Sequence, residues 1–397
     1  MIDKSDLFHD FRSIDYPVID ADAHVQEPVD LWTNNAPASL QGRVPRVKHT
    51  EQGDFWLFDE NKPPEAVSFT VSAGKSYLDY YPTGGSYATM RPGMWQTQAR
   101  LADMAIDGIY AQVLYPSVTL KGAGTYSDDR ELQLYCVRRY NEWLVQDFCH
   151  NTQGRLIAQA IIPTTGIGDA LAELDWAIES GHKGAVISRM PSGKYEFSED
   201  DEPFFARCCE ADMPVVIHIG SFLRSKGGGG GGGKPPDYKN LAFLGAAGAI
   251  KAGSHTIPVV SDLMFSGMFR KFPDLKIVLV EANIGWIPTL LEQCDDMFYR
   301  YRFFTEASGK MAMPSEVFHR HFWATFLIDS VGMDLRHRLN TSHIMWSTDY
   351  PHTASNWPNS RQVIDKQFHG LPHAQVKQFL HSNCKTLYNL NHIPDTL

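Results

Sequence analysis

The apolar opening Val18-Ile19 runs straight into Asp20, Asp22 and His24 and reaches Glu27-Pro28 within a few residues. The same construction recurs at Pro214-Val215-Val216-Ile217-His218 and at Ile344-Met345-Trp346-Ser347-Thr348-Asp349, followed by Pro351-His352. Strand-forming segments of this kind enter a core, where an uncompensated charge costs several kcal/mol or is neutralised by a pKa shift. Three such segments, remote in sequence and each ending on a carboxylate or imidazole, therefore call for a shared compensator, and a metal ion is the usual one.

Eight short apolar runs alternate with helical patterns: Val18–His24, Ile109–Tyr115, Leu156–Pro163, Gly184–Ser188, Val215–Gly220, Lys276–Glu281, Trp323–Asp329 and Ile344–Asp349. Continuous rather than alternating apolar character marks strands buried on both faces, as in parallel sheets. Amphipathic stretches such as Asp129–His150 and Ala170–Ile178 lie between them. This order predicts an α/β fold, a single (β/α)8 TIM barrel domain spanning residues 1–397, with its site at the carboxyl ends of the strands. Two insertions depart from a minimal barrel. Asp30–Gln98 carries Trp32, Phe55, Trp56, Phe58, Tyr77, Tyr80, Tyr81 and Trp95 with no long helical period, which suggests a cap. Ser221–Lys251 contains the unbroken run Gly227–Gly233, which suggests a flap beside His218.

Other chemistries find no support. The glycine run matches a dinucleotide fingerprint trivially, without the surrounding strand–turn–helix register or a downstream acid. No G-x-S-x-G elbow is present, and Gly74-Lys75-Ser76 lacks the leading glycine of a phosphate loop because position 69 is Phe69. Six scattered cysteines show no C-x-x-C spacing and read as reduced. A formal charge of -10 argues against nucleic acid or an anionic membrane surface as partner, and no apolar run approaches the roughly 20 residues of a membrane span. The polar, acidic start Met1-Ile2-Asp3-Lys4-Ser5-Asp6 lacks the pattern of a signal peptide, so a cytoplasmic protein acting on a small molecule is expected.

The combination of Asp22-Ala23-His24 with Glu27-Pro28, the strand-five His218, Phe272-Pro273-Asp274-Leu275-Lys276 leading to Glu281, and Trp346-Ser347-Thr348-Asp349-Tyr350-Pro351-His352 resembles the amidohydrolase-2 branch of the amidohydrolase superfamily. That branch includes the aminocarboxymuconate-semialdehyde, resorcylate and carboxyvanillate decarboxylases. The resemblance spans roughly Val18 to Leu390 and implies one divalent metal, Zn or Mn, held by Asp22, His24, His218 and Asp349. The residue chemistry agrees with it. The first and last strands of a closed barrel are neighbours, and period two places Asp22 and His24 on one face. Mixed imidazole and carboxylate donors suit either ion. Asp20 is an alternative to Asp22.

One position departs from the resemblance: Glu281-Ala282-Asn283-Ile284-Gly285-Trp286 stands where the muconate-semialdehyde enzyme carries a catalytic histidine. Glu281 reads as a proton shuttle, as an anchor for a cationic group, or as the partner of an arginine. The catalytic set is then Asp349, Glu281 and His218. Arg189, Glu27 and Asp329, each at or just beyond the end of an apolar run, are the candidates for substrate binding, and His352 for orienting Asp349.

Two reactions fit this framework. In a carboxy-lyase, the ion chelates a carboxylate and an adjacent oxygen of a small aromatic or unsaturated acid, and a protonated Asp349 or Glu281 delivers a proton to carbon. In a hydrolase of an amide, ester or lactone, metal-bound water loses its proton to Asp349. The resemblance favours the lyase, and it also implies a homodimer, with which Phe303-Phe304 is compatible.

Overall fold

In the computed structural model, which describes residues 14–58, 64–67, 72–76, 84–118, 122–222, 250–251, 253–304 and 311–397, the eight apolar runs form a parallel barrel. After β1 (Ile19–Val25) the chain makes a small antiparallel sheet of β2 (Arg46–Thr50), β3 (Gly53–Leu57) and β4 (Glu65–Ala66) inside the first insertion. The barrel then continues through β5 (Ala111–Pro116), β6 (Leu156–Ala158), β7 (Ala160–Ile161), β8 (Ala185–Val186), β9 (Val215–His218), β10 (Ile277–Val280), β11 (Phe322–Phe326) and β12 (Ile344–Trp346). β6 and β7 are halves of one barrel strand broken at Gln159. The first half pairs with β5 and the second with β8.

Closure comes from the chain just past β12. Ala23 bridges Tyr350 in parallel, and the Asp349 N–H donates to the Asp22 carbonyl at 2.9 Å. The ends of β1 and β12 therefore meet, which carries Asp22, His24 and Asp349 to one seam.

β1 does not keep a simple alternation. Ile19 and Ala21 lie in the apolar cluster that also holds Ala111, Val113, Tyr115, Val216, Val280 and Met345, whereas Ala23 and Val25 belong to the outer layer between strands and helices. The pairing of β1 with β5 shifts register between Asp20 and Ala23. Such an irregularity flips the faces of all that follows. It turns Asp22 and His24 inward beside His218 and leaves Asp20 on the outer side.

There Asp20 is saturated. Its Oδ1 accepts from the Thr348 N–H at 2.8 Å and the Asp22 N–H at 3.2 Å, and its Oδ2 from Thr348 Oγ1 at 2.5 Å and Gln112 Nε2 at 3.0 Å. Burial pushes this carboxyl up to about 7 against the pull of the Thr348 donors. The expectation that Asp20 could replace Asp22 as a ligand is corrected: its oxygens are used to tie β1 to the end of β12.

The insertion aromatics serve mainly as packing where they are described. Trp32 and Trp56 meet edge to face at 5.2 Å, and Trp32 meets Tyr126 at 5.3 Å. Tyr77, Tyr80, Tyr81 and the Gly227–Gly233 run lie outside the described residues. The amphipathic stretch after β5 forms the helix Arg130–Trp143, whose first turn is capped by Asp129 Oδ1 accepting from Leu132 N at 3.0 Å. Among the described residues no helix is long and apolar enough to cross a membrane.

The outer side of the seam is held by Arg100, fully buried on the helix Thr97–Asp107. Its guanidinium donates to the carbonyls of Gly93 and His24 and to Gln112 Oε1, and lies over the Tyr350 ring at 4.4 Å. Arg100→Met keeps the apolar stem but leaves two buried carbonyls without a donor, at about 1–3 kcal/mol each. The expected loss is about 3 kcal/mol, read as a lowered urea midpoint with an unchanged slope.

Candidate metal centre

Each donor at the barrel mouth is aimed by its backbone. His24 Nδ1 lies 2.9 Å from the Pro116 carbonyl at the end of β5, and His218 Nδ1 lies 3.2 Å from the Ile219 carbonyl. A carbonyl only accepts, so Nδ1 carries a hydrogen in both rings and Nε2 is the nitrogen turned to the barrel axis, the one that a cation would meet. Asp349 follows β12 in a left-handed conformation, φ 55°, and Glu281 follows β10 at φ 57°. Both are carboxylate residues in a region that side chains other than glycine rarely occupy.

The side chains converge. His24 Nε2 is 3.3 Å from Asp22 Oδ1 and 3.3 Å from Asp349 Oδ1, and His218 Nε2 is 3.5 Å from Asp22 Oδ1. These atoms face one another without hydrogen bonds. Both oxygens of Asp22, Nε2 of His24 and His218, and Oδ1 of Asp349 are buried and have no partner. Groups so placed are rare, because each leaves its desolvation cost unrecovered. A divalent ion recovers it: with bonds of about 2.1 Å, neighbouring donors of a tetrahedral or octahedral shell lie about 3.0–3.4 Å apart. The observed spacings are close to that range. Asp22, His24, His218 and Glu281 form one group whose ligand atoms all lie within 4.8 Å of one another, and His24, Glu281, Asp349 and His352 form a second.

Charge is shared unevenly across the cluster. Burial works against charge on His24, but the carboxylates of Asp22 and Asp349 overcome it and push the imidazole up to about 10. Burial would likewise raise both of those carboxyls. Instead His218 and His24 hold Asp22 below the ordinary carboxylate range, and His352 and His24 do the same for Asp349. Glu281 is raised well above its ordinary value by burial and by the neighbouring Asp349 and Asp22. The residue keeps some exposed surface while its carboxyl points into the mouth. A proton on His24 thus occupies the electrostatic place of a cation.

His352 stacks on His24 with ring centroids 3.8 Å apart, and its Nδ1 is 2.9 Å from Asp349 Oδ1. Its Nε2 meets Ser117 Oγ at 3.2 Å. Burial and His24 lower its pKa. The floor is Tyr115, whose ring centroid lies 6.0 Å from that of His24 and 5.4 Å from that of His218, with its hydroxyl 3.1 Å from that of Tyr388. Neither Tyr115 nor Ser117 is among the site residues that the sequence points to. Their position at the end of the second apolar run was the available signal.

Two expected substrate-binding residues are placed elsewhere. Glu27 is fully buried, and both its carboxylate oxygens accept from the Val118 N–H at 3.2 and 3.0 Å. Asp329 accepts from the N–H groups of Ile284, Gly285 and Gly332, each at 2.7 Å. It clamps the turn after Glu281 to the turn after β11. Both acids are therefore occupied by backbone. Arg189, half-buried beyond β8, lies over the Tyr195 ring at 5.0 Å and makes no ion pair with the carboxylates at the seam.

The family model described as Amidohydrolase matches residues 19–390. A structure of an amidohydrolase from Mycobacterium avium subsp. paratuberculosis K-10 is similar with a TM-score of 0.74 and 17% identity, covering 95% of this chain and 100% of that one. A dihydroxybenzoic acid decarboxylase from Polaromonas sp. JS666, solved with bound manganese and the inhibitor 2-nitroresorcinol, gives a TM-score of 0.62 at 17% identity, covering 95% and 98%. In sequence, a decarboxylase of Emericella nidulans is 28% identical over 204 residues, which is 50% of this chain and 59% of that relative's length.

Because the carboxylates of Asp22 and Asp349 hold a proton on His24 that an ion must displace, metal uptake at pH 7–8 is expected to release at least one proton per chain. The sign follows from the raised value: His24 stays protonated up to about pH 10, so affinity rises with pH across the neutral range. Asp22, already ionised there, contributes no slope. Calorimetric titrations in buffers of different ionisation enthalpy measure the proton directly. Uptake without proton release would count against this balance.

Proposed function

The chain belongs to the amidohydrolase family, and on that premise we propose that it is a metal-dependent, non-oxidative decarboxylase of a small aromatic carboxylic acid. The observation that carries the reading is the set of buried, partnerless donor atoms on Asp22, His24, His218 and Asp349 at the seam of the barrel. That the similar proteins include a Polaromonas dihydroxybenzoic acid decarboxylase and an Emericella decarboxylase supports the choice of reaction.

When bound, one divalent ion, Zn or Mn, supplies positive charge that orients the substrate's carboxylate and an adjacent oxygen and stabilises negative charge developing on them. The protein's own groups account for the rest. His24 and His218 are held as Nδ1–H tautomers by the Pro116 and Ile219 carbonyls, so both can face a cation without changing orientation. Loss of carbon dioxide leaves a ring carbon that must gain one proton. Asp349 is the proposed donor once it has taken up a proton: its Oδ1 lies 2.9 Å from His352 Nδ1, and His352 leads on to Ser117, a route by which that proton is supplied. Arg189 remains the proposed clamp for an anionic group on the substrate, since no carboxylate at the seam occupies its guanidinium. Glu27 and Asp329 drop out of that role. We further read the protein as a cytoplasmic homodimer, with the exposed Phe303 and Phe304 as a surface compatible with assembly.

Manganese- or zinc-loaded protein incubated with a panel of hydroxybenzoates is expected to release carbon dioxide and the corresponding phenol. Asp349→Asn and His218→Ala are each expected to lower the rate by at least about 100-fold, and chelator-stripped protein to be inactive until an ion is restored. Release of an amine or alcohol without carbon dioxide would overturn the lyase reading, and full activity after stripping would overturn the metal requirement.

A further inference from the structure

Glu281 is the member of the cluster that the four-donor set leaves without a task. Its carboxylate belongs to both groups of converging ligand atoms, the one built on Asp22 and His218 and the one built on Asp349 and His352. Among the described residues no backbone or side-chain group donates a hydrogen bond to that carboxylate. The hydrogen bond Glu281 does make is through its own N–H, to Thr325 Oγ1 at 2.8 Å. Arg100, the buried arginine among the described residues, spends its donors on Gly93, Gln112 and the His24 carbonyl. A third carboxyl facing two others in a desolvated mouth, with neither an arginine nor a donor, keeps its own proton in the bare chain and is placed to ligate a cation that displaces that proton.

The backbone around it is built to hold this aim. Glu281 and Asn283 both adopt left-handed φ, 57° and 55°. Thr325 on β11 pins the start of the turn, and Asp329 pins Ile284 and Gly285 at its end. A Cβ at Gly332 would lie 2.3 Å from Ile284 Cγ1, so the two turns fit together closely only because that residue is glycine. Asp329, expected to touch substrate, is thereby a positioning residue for Glu281.

We infer that Glu281 is an additional metal ligand, so that the ion at the seam is held by the three carboxylates Asp22, Glu281 and Asp349 with the imidazoles of His24 and His218, a donor set that favours Mn2+ relative to Zn2+. The inference rests on the metal-centre reading above. Zinc is satisfied by four donors and tolerates imidazole-rich sets, whereas Mn2+ prefers higher coordination and carboxylate oxygens. A fifth, anionic donor therefore gains more for Mn2+, offsetting part of the intrinsic order that places Zn2+ above it.

The test is affinity rather than turnover. Purified apo protein and its Glu281→Gln and Glu281→His variants are titrated with Mn2+ and Zn2+ against a fluorescent chelator. The electron paramagnetic resonance spectrum of bound Mn2+ is recorded in parallel. Glu281→Gln is expected to weaken Mn2+ at least ~10-fold, to weaken Zn2+ several-fold less, and to change the Mn2+ spectrum. Glu281→His, which installs an imidazole at this position, is expected to shift preference toward Zn2+. Because glutamine keeps the shape of a side chain whose carboxyl receives no hydrogen bond from the described residues, apo Glu281→Gln is expected to melt no lower than the parent protein. Asp22→Asn and His24→Ala serve as references. If they abolish binding while Glu281→Gln binds both ions like the parent, the Glu281 assignment fails and the metal centre stands. If the reference variants bind normally, the metal centre itself fails. Equal weakening of both ions would overturn the manganese preference. Should Glu281→Gln not fold, a crystal structure of the Mn2+-loaded parent decides, through a Glu281 oxygen within about 2.2 Å of the ion or its absence.

Discussion

Three carboxylates and three imidazoles share one desolvated mouth, and the need to compensate their charge governs the surrounding backbone. Asp22 and His24 face inward only because β1 shifts register. Asp349 and Glu281 arrive through left-handed residues at the ends of their strands. Such conformations cost of order 1–3 kcal/mol each and persist only where the neighbourhood over-determines them. Here Thr325 fixes one end of the Glu281 turn, Asp329 fixes the other, and Asp20 holds the Thr348 peptide that precedes Asp349. Binding a divalent ion to a structural site contributes about 10–16 kcal/mol in small zinc domains. Against that scale, strain at two residues is a minor term.

Most of the architecture is legible from the sequence because parallel strands buried on both faces leave continuous apolar runs, and all eight such runs became barrel strands. Their carboxyl ends, where Asp22, His24, His218, Glu281 and Asp349 were expected, are where the donors meet. What the sequence hides is the irregularity in β1. Asp20, Asp22 and His24 follow a perfect period of two, and nothing in composition marks the point where the register slips. For that reason Asp20 looked equivalent to Asp22, although it packs on the opposite side of the sheet. Glu27 and Asp329 were misplaced for a related reason. An acid just beyond a strand serves equally well as a ligand or as an acceptor for free N–H groups in the next turn, and only coordinates tell which donors lie in reach. The aromatic density of the first insertion carries the same ambiguity, resolved at Trp32 and Trp56 in favour of packing.

Closure and chemistry use the same seam, and this has a mechanical consequence. β1 and the segment after β12 share a single bridge, Ala23 to Tyr350, rather than a full ladder. The remaining cohesion comes from polar groups on the two sides of the sheet. Outside lie Asp20, Thr348, Gln112 and Arg100. Inside lie His24, Asp22 and Asp349. The outer network is fully satisfied without any ligand, so it can hold the barrel shut by itself. The inner network is satisfied only partly by a proton on His24, which attracts Asp22 and Asp349, offsets only a small part of what raises Glu281, and leaves the second oxygen of Asp22 without a partner. An ion that replaces the proton adds attraction across the weakest joint of the barrel, and because it binds the folded chain alone it stabilises that chain in proportion to RT ln(1 + [ion]/Kd). Arg100 links the two networks, since it donates to the carbonyl of His24 while the ring of the same residue faces the cluster. The position of the imidazole is therefore set from behind by a cation that is always charged. Its protonation is set from the front by carboxylates, and the metal competes only for the latter.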